Sequence, residues 1–433
     1  MARILILTPQ LPYPPQALTG QAQGTTIRNY NLLARLARHH ELDLATFAGP
    51  DDGIGAAFGA QGERSATALL GSYCRTIVVE RAPHRSQARR GLDTLLNPLP
   101  DMALRLACPA MHQRLVQLSS ENHYDVIQAE GIEMAPYALR LQDLAAQGFP
   151  AEQSARNSPP HAYFLIDDHN AEYVLQKRAF TTDVRRLSRW LAAAYSFVQW
   201  QKLRVYERRV CRAADRVVAV SNPDCQALRQ LLPGLDVAVV PNGVDLDFYR
   251  PGIVPPLPKM VPEALVFTGK MDYRPNVDAV LWFAGAVLPG ILAQIPTAHL
   301  YVVGQQPHAQ LAVLAGHPAI TITGRVPDTR PYIAGAAVYL VPLRIGGGTR
   351  LKVLEAMAMG QAIVSTRLGC DGFEFEDGRE VFFADEPAAF AAAVVELMND
   401  KEKASRLGRT ARAYVEAHFG WDAIVPLLEA LYP

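Results

Sequence analysis

Short runs of β-branched and aliphatic residues alternate along this chain with longer stretches whose apolar residues recur every three or four positions, and halfway along the pattern starts again. In the first half the runs are ARILILT (2–8), LDLATF (42–47), RTIVVE (75–80), DVIQAE (125–130), AYFLID (162–167) and DRVVAVS (215–221). In the second half they are ALVFTG (264–269), AHLYVVG (298–304), AITITG (319–324), AVYLVPL (337–343), QAIVST (361–366) and EVFFA (380–384). The intervening stretches, such as TTIRNYNLLARLARH (25–39), carry helical spacing. Parallel strands need long crossovers, and helices supply them, so this alternation predicts an α/β protein. Each half is expected to be a Rossmann-like, doubly wound domain with its ligand site beyond the C-terminal ends of the strands. Two such domains facing each other are expected to leave a central cleft.

A chain of 433 residues is long enough for two such cores. Proline and glycine become dense over 231–260, which predicts a first domain at 1–235, a linker at 236–260 and a second domain at 261–418. Segment 146–161 reads as a polar insertion without chemistry. Lys and Arg together number 42, as do Asp and Glu, and this balance argues against a general nucleic-acid binder. The five cysteines are scattered and form no CxxC pair, so a reduced, cytoplasmic setting without a zinc site is expected. The apolar start of MARILILTPQLPYPP is too short for a signal-peptide core, and no run of 18 apolar residues follows.

One stretch asks for more than a turn. LRIGGGTRLKVLEAM (343–357) sets three glycines, a threonine and two cations before an apolar helix carrying one acid, Glu355. A tight loop explains the glycines alone. An anion site explains the whole, because a helix N-terminus offers unpaired N–H groups and glycine lets a phosphate approach.

The combination of VVPNGVDLDFYRP (239–251), LVFTGKMD (265–272), GGGTRLKVLEAMAMGQAIVST (346–366) and DDHNAEY (167–173) resembles the retaining glycosyltransferases of family 4, which have the GT-B fold. The resemblance implies transfer of a sugar from a UDP- or GDP-linked donor to a glycan or lipid-linked acceptor, as in polysaccharide biosynthesis, with no cofactor and no essential metal. It also implies that the closing helix, 419–433, returns to the first domain. On this reading Gly346, Gly347, Gly348 and Thr349 bring amides to the donor diphosphate, while Lys352, with Arg350 beside it, supplies charge. Glu355 takes the place of the acid that accepts from the ribose hydroxyls. The family's usual first acid, eight positions earlier, is here Gly347, which leaves the donor sugar open. Gly269 opens GKMDYRPN (269–276), where Lys270 or Arg274 stands in for the family's usual cations. His169 takes the place of the histidine beside the reacting sugar. Gly24 and Arg28, one turn apart at the first helix, are expected to line the acceptor side, after a loop with Ala17–Gln23 extra.

Two basic stretches stand out, 80–90 and a long helical pattern over 177–212 that interleaves cations with Leu187, Trp190, Leu191, Phe197, Trp200 and Tyr206. The second fits an amphipathic helix packed on its own domain, or one in peripheral contact with the inner membrane face. Two further activities fit the same architecture: a nucleotide-sugar epimerase, and a catalytically silent nucleotide-sugar-binding protein.

Overall fold

The computed structural model describes residues 1–14, 24–49, 67–147, 162–184, 189–345 and 350–433. They form two compact units. One takes in the described residues up to Pro241 together with Val425–Pro433, and the other runs from Asn242 to Ile424.

In the first unit seven parallel strands make one sheet. They are β1 (Arg3–Thr8), β2 (Glu41–Ala48), β3 (Thr76–Arg81), β4 (Val126–Glu130), β5 (Tyr163–Asp168), β6 (Arg216–Ala219) and β7 (Val237–Val239), in the order β3-β2-β1-β4-β5-β6-β7. The central strands read as near-continuous apolar runs because helices cover both faces, leaving β1, β4 and β5 almost wholly buried. The strand order reverses at β1, between β2 and β4, so a ligand crevice is expected beyond the C-terminal ends of β1 and β4.

The second unit repeats the plan with β8 (Ala264–Thr268), β9 (His299–Val303), β10 (Ile320–Gly324), β11 (Val338–Val341), β12 (Ile363–Ser365) and β13 (Phe382–Phe383). Their order is β10-β9-β8-β11-β12-β13, so the reversal falls at β8, between β9 and β11.

Three features differ from the sequence reading. β7 lies inside the stretch expected as linker; it is only three residues long and pairs with β6 at the sheet edge. The basic pattern over 177–212 is two helices, Glu172–Asp183 and Trp190–Ala213. The longer one turns Gln199, Leu203, Tyr206 and Val210 inward, while Trp190 and Leu191 stay 63% and 90% exposed. Thirdly, the helical stretch Arg274–Leu292 has a mean hydropathy of 1.4 over a length that could cross a membrane. Its Val280, Phe283, Val287 and Ile291 belong to the core of the second unit, and core helices commonly have this composition. Residues 148–161 and Ala17–Gln23 lie outside the described residues.

Candidate functional site

Two clusters of polar side chains sit at strand ends, one in each unit. In the first, β4 ends on Glu130 and β5 on Asp167 and Asp168, with Glu130 and Asp167 paired in register. His169 follows directly, and its Nε2 lies 2.9 Å from Glu130 Oε2. On helix Gly24–Leu36, Arg28 donates to Asp167 Oδ2 through Nε at 3.0 Å and Nη2 at 2.6 Å, and to the carbonyls of Pro241 and Val240. Arg28, expected to line the acceptor side, is buried and ties its helix to β5 and to the residues after β7. Gly24 starts that helix and is exposed.

Electrostatics here are set by burial. Alone, burial would push the His169 imidazole down, but the hydrogen bond to Glu130 and the carboxylates of Asp167 and Glu130 outweigh it, so His169 titrates above its ordinary value. Ligand atoms of Glu130, Asp167 and His169 lie within 4.8 Å of one another, as in a cation site. The Arg28 guanidinium already occupies Asp167 Oδ2, so a second cation there would meet like charge.

Behind His169, Glu207 accepts from the backbone N–H groups of Glu172 and Tyr173, holding the start of helix Glu172–Asp183. It also shares a hydrogen bond with Asp168, which requires a proton between two carboxyls. Burial pushes Glu207 up to about 7. Because the folded pKa is raised, the folded chain keeps a proton that the unfolded chain releases near the ordinary carboxyl value of ~4.5. Stability from this group is therefore full below that value and is lost as pH rises to about 7. Urea midpoints across pH 5–8 are expected to fall with rising pH, and to fall less steeply in Glu207→Gln; equal slopes would contradict the assignment.

In the second unit the cluster forms where β8 and β9 end. Gly304 approaches Gly269 so closely that a Cβ on it would lie 1.7 Å from the Gly269 carbonyl oxygen. A Cβ on Gly269 itself would lie 2.7 Å from both Lys352 Nζ and Asn276 Nδ2. These two glycines thus make room for a polar bridge: Lys352 Nζ donates to Asn276 Oδ1 at 2.9 Å, and Asn276 Nδ2 donates to the Lys270 carbonyl at 2.8 Å. Lys352 also lies over the Phe267 ring, 4.2 Å from its centroid. Burial, with Arg350 close by, lowers its pKa to about 7 against the opposing pull of Glu355.

Glu355, on the same helix (Leu351–Ala358), is flanked by buried Val353, Leu354, Ala356 and Met357. Burial raises its pKa, while a hydrogen bond from Tyr249 and the charge of Lys352 act the other way. Arg350 is buried just before this helix. Lys270 and Arg274 are both exposed, and Lys270 pairs with Asp272 at 3.3 Å. The run Gly346–Thr349, with Gly347 and Gly348 inside it, lies outside the described residues.

Of the residues expected from sequence, Gly269, Lys352 and Glu355 come together in the second unit, and His169 stands within the acidic cluster of the first. Sequence reading missed Glu130, Asn276 and Tyr249. Glu130 and Gln128 had a signal, since a period of two puts them on one face of an otherwise apolar strand.

Comparison with known proteins finds two matches along the chain. The family described as Glycosyltransferase Family 4 matches residues 22–248, just over half of the chain, and the family described as Glycosyl transferases group 1 matches residues 262–400. A phosphatidyl-myo-inositol mannosyltransferase of Mycolicibacterium smegmatis is 28% identical over 211 residues, covering 46% of this chain and 52%, about half, of that relative. Among solved structures, sucrose-phosphate synthase from Thermosynechococcus elongatus superposes with a TM-score of 0.64 at 18% identity, covering 100% of this chain and 98% of that one. HepE from Anabaena, in complex with UDP and glucose, gives 0.60 at 15% identity, covering 99% of each chain.

Proposed function

The chain belongs to Glycosyltransferase Family 4 and has the GT-B fold, and from that footing we propose that it moves a sugar, with retention and without an essential metal, from a UDP- or GDP-linked donor to a glycan or lipid-linked acceptor in polysaccharide biosynthesis. The observation that carries this reading is the grouping of Gly269, Asn276, Lys352 and Glu355 at the end of β8. A diphosphate needs positive charge and close backbone, and this group offers a half-buried ammonium beside Gly269. With its pKa near neutrality, Lys352 gains a proton when a phosphate arrives, so its charge is strongest when the donor is bound. Glu355, one turn on, presents two acceptor oxygens suited to the vicinal hydroxyls of a ribose. The glycines at 346–348 and Thr349 add backbone donors to the same diphosphate.

In this reading the first unit serves the acceptor, and His169 stabilises the reacting sugar. A retaining transfer with no protein nucleophile lets the leaving phosphate accept the acceptor's proton, so His169 need not be the base. HepE, solved with UDP and glucose, supports a uridine donor, and a relative named for phosphatidyl-myo-inositol supports a lipid-linked acceptor. Incubating the protein with nucleotide sugars and candidate acceptors, followed by mass spectrometry, tests the reading. A new glycoside supports it; an epimerised or unchanged donor replaces it with one of the two other activities.

A lipid acceptor also calls for a place on the cytoplasmic side of the membrane. Exposed Trp190 and Leu191 lie on the same helix as Arg204, Arg208, Arg209 and Arg212, which line an open groove with Lys177 and Trp200. Cations near an anionic bilayer contribute ~1 kcal/mol each, and aromatic side chains sit well at its interface. The protein is expected to co-sediment with vesicles containing anionic lipid and not with neutral ones, and Trp190→Ser with Leu191→Ser is expected to weaken this at least about tenfold. Equal sedimentation with both vesicle types would remove the membrane from the proposal.

A further inference from the structure

A chain of side-chain hydrogen bonds runs through the interior of the first unit and ends on His169. Tyr432 donates its hydroxyl to Gln128 Oε1 at 2.6 Å, Gln128 donates its amide to Glu130 Oε1 at 2.5 Å, and Glu130 Oε2 meets His169 Nε2 at 2.9 Å. With its amide nitrogen turned toward them, Asn29 adds donations to Glu130 Oε2 at 2.9 Å and to the Thr25 carbonyl. Both oxygens of Glu130 are thus approached by donors, Oε1 by Gln128 of its own strand and Oε2 by His169 and Asn29 from other parts of the fold, although the residue is 1% exposed. A carboxylate so deeply buried is costly unless paired, and a purely structural role would need no more than this pairing.

The imidazole says more. Its Nε2 faces an ionised carboxylate, an acceptor only, so Nε2 must carry the proton. Nδ1 has no protein partner among the described residues, and the side chain keeps 14% of its surface exposed. One ring nitrogen is therefore fixed by the protein and the other is left for a ligand.

We propose that Glu130 is a positioning residue for transfer: it locks His169 as the Nε2–H form and presents Nδ1 to the reacting sugar, while Gln128 and Tyr432 hold the carboxylate in place. This rests on the reading that His169 serves the reacting sugar. The charged groups facing the ring are Glu130 from β4, Asp167 from the end of β5 and Arg28 from helix Gly24–Leu36. The two acids raise its basicity and the guanidinium opposes them. Tyr432 reaches this chain from near the C-terminus, 304 positions from Gln128, so a residue far from any recognised motif supports the site.

The test is 15N NMR of histidine-labelled protein across pH 5–9, alongside pH–rate profiles, for the wild type, Glu130→Gln and Tyr432→Phe. In the wild type the neutral His169 ring is expected as the Nε2–H tautomer, with its titration above the ordinary value. Glutamine can donate to Nε2, so in Glu130→Gln the neutral ring is expected to shift toward Nδ1–H, its titration to fall by about one pH unit and kcat to drop about 100-fold with donor KM little changed. Tyr432→Phe removes no buried charge and is expected to fold, showing a smaller shift in the same direction. Unchanged tautomer and titration in both variants would overturn the role of Glu130, whatever happens to turnover. A shifted ring with unchanged turnover would instead overturn the part given to His169 in the reaction.

Discussion

Arg28→Met is expected to destabilise the protein by about 3–5 kcal/mol, the range for removing one partner of a buried ion pair. The guanidinium is almost wholly buried, and it both neutralises Asp167 and donates to the carbonyls of Val240 and Pro241. Without it Asp167 keeps a buried carboxyl whose Oδ1 already has no hydrogen-bond partner among the described residues. Protonation of Asp167 limits the damage, since burial already raises its pKa against the pull of Arg28. Two carbonyls after β7 also lose donors, so the edge of the sheet is expected to loosen together with helix Gly24–Leu36. Urea denaturation monitored by circular dichroism measures the change. Adding Asp167→Leu is expected to recover much of the loss, as replacing a buried pair by apolar groups often does. A loss below about 1 kcal/mol in Arg28→Met would mean that the bond network is not what holds this helix.

The second large effect is on binding. Glu355→Ala is expected to weaken a nucleotide-sugar donor by about 100-fold, because hydrogen bonds to a charged group contribute about 1.5–3 kcal/mol each and a ribose offers two hydroxyls. Folding stability is expected to change little or to rise, since the raised pKa of Glu355 shows a carboxylate held at a cost among apolar neighbours. A group kept against stability points to use in binding. Tyr249→Phe frees the same carboxylate from its protein donor, and its effect on affinity is expected to be smaller. Calorimetric titration of each variant measures the affinity. Donor affinity within threefold of wild type in Glu355→Ala would remove the ribose role.

Much of the fold was legible because parallel strands buried on both faces are written as continuous β-branched runs, and every run read that way is a strand. β7 escaped because its run, VAVV (237–240), is short and stands directly before a proline in a stretch dense in proline and glycine. The break between helices Glu172–Asp183 and Trp190–Ala213 escaped for the opposite reason: charged and apolar residues keep helical spacing across it. Candidate site residues were legible where they sit in local motifs, as with Lys352, Glu355 and His169, which the structure places in the two polar clusters. Pairings made by the fold were not. Asn276 meets Lys352 across 76 positions and Glu130 meets His169 across 39, distances over which no spacing rule operates. Arg28 shows the same limit, since its position at the helix start was readable but its burial against Asp167 was not.

The central claim is that the second unit holds a nucleotide-sugar donor, and calorimetric titration of the wild-type chain with UDP-linked and GDP-linked sugars tests it most directly. The account predicts saturable binding of one nucleotide class with a Kd in the range of roughly 1 μM to 1 mM, where enzymes commonly hold their substrates. A folded protein that binds neither class would contradict it, and the cluster at Gly269, Lys352 and Glu355 would then need another ligand.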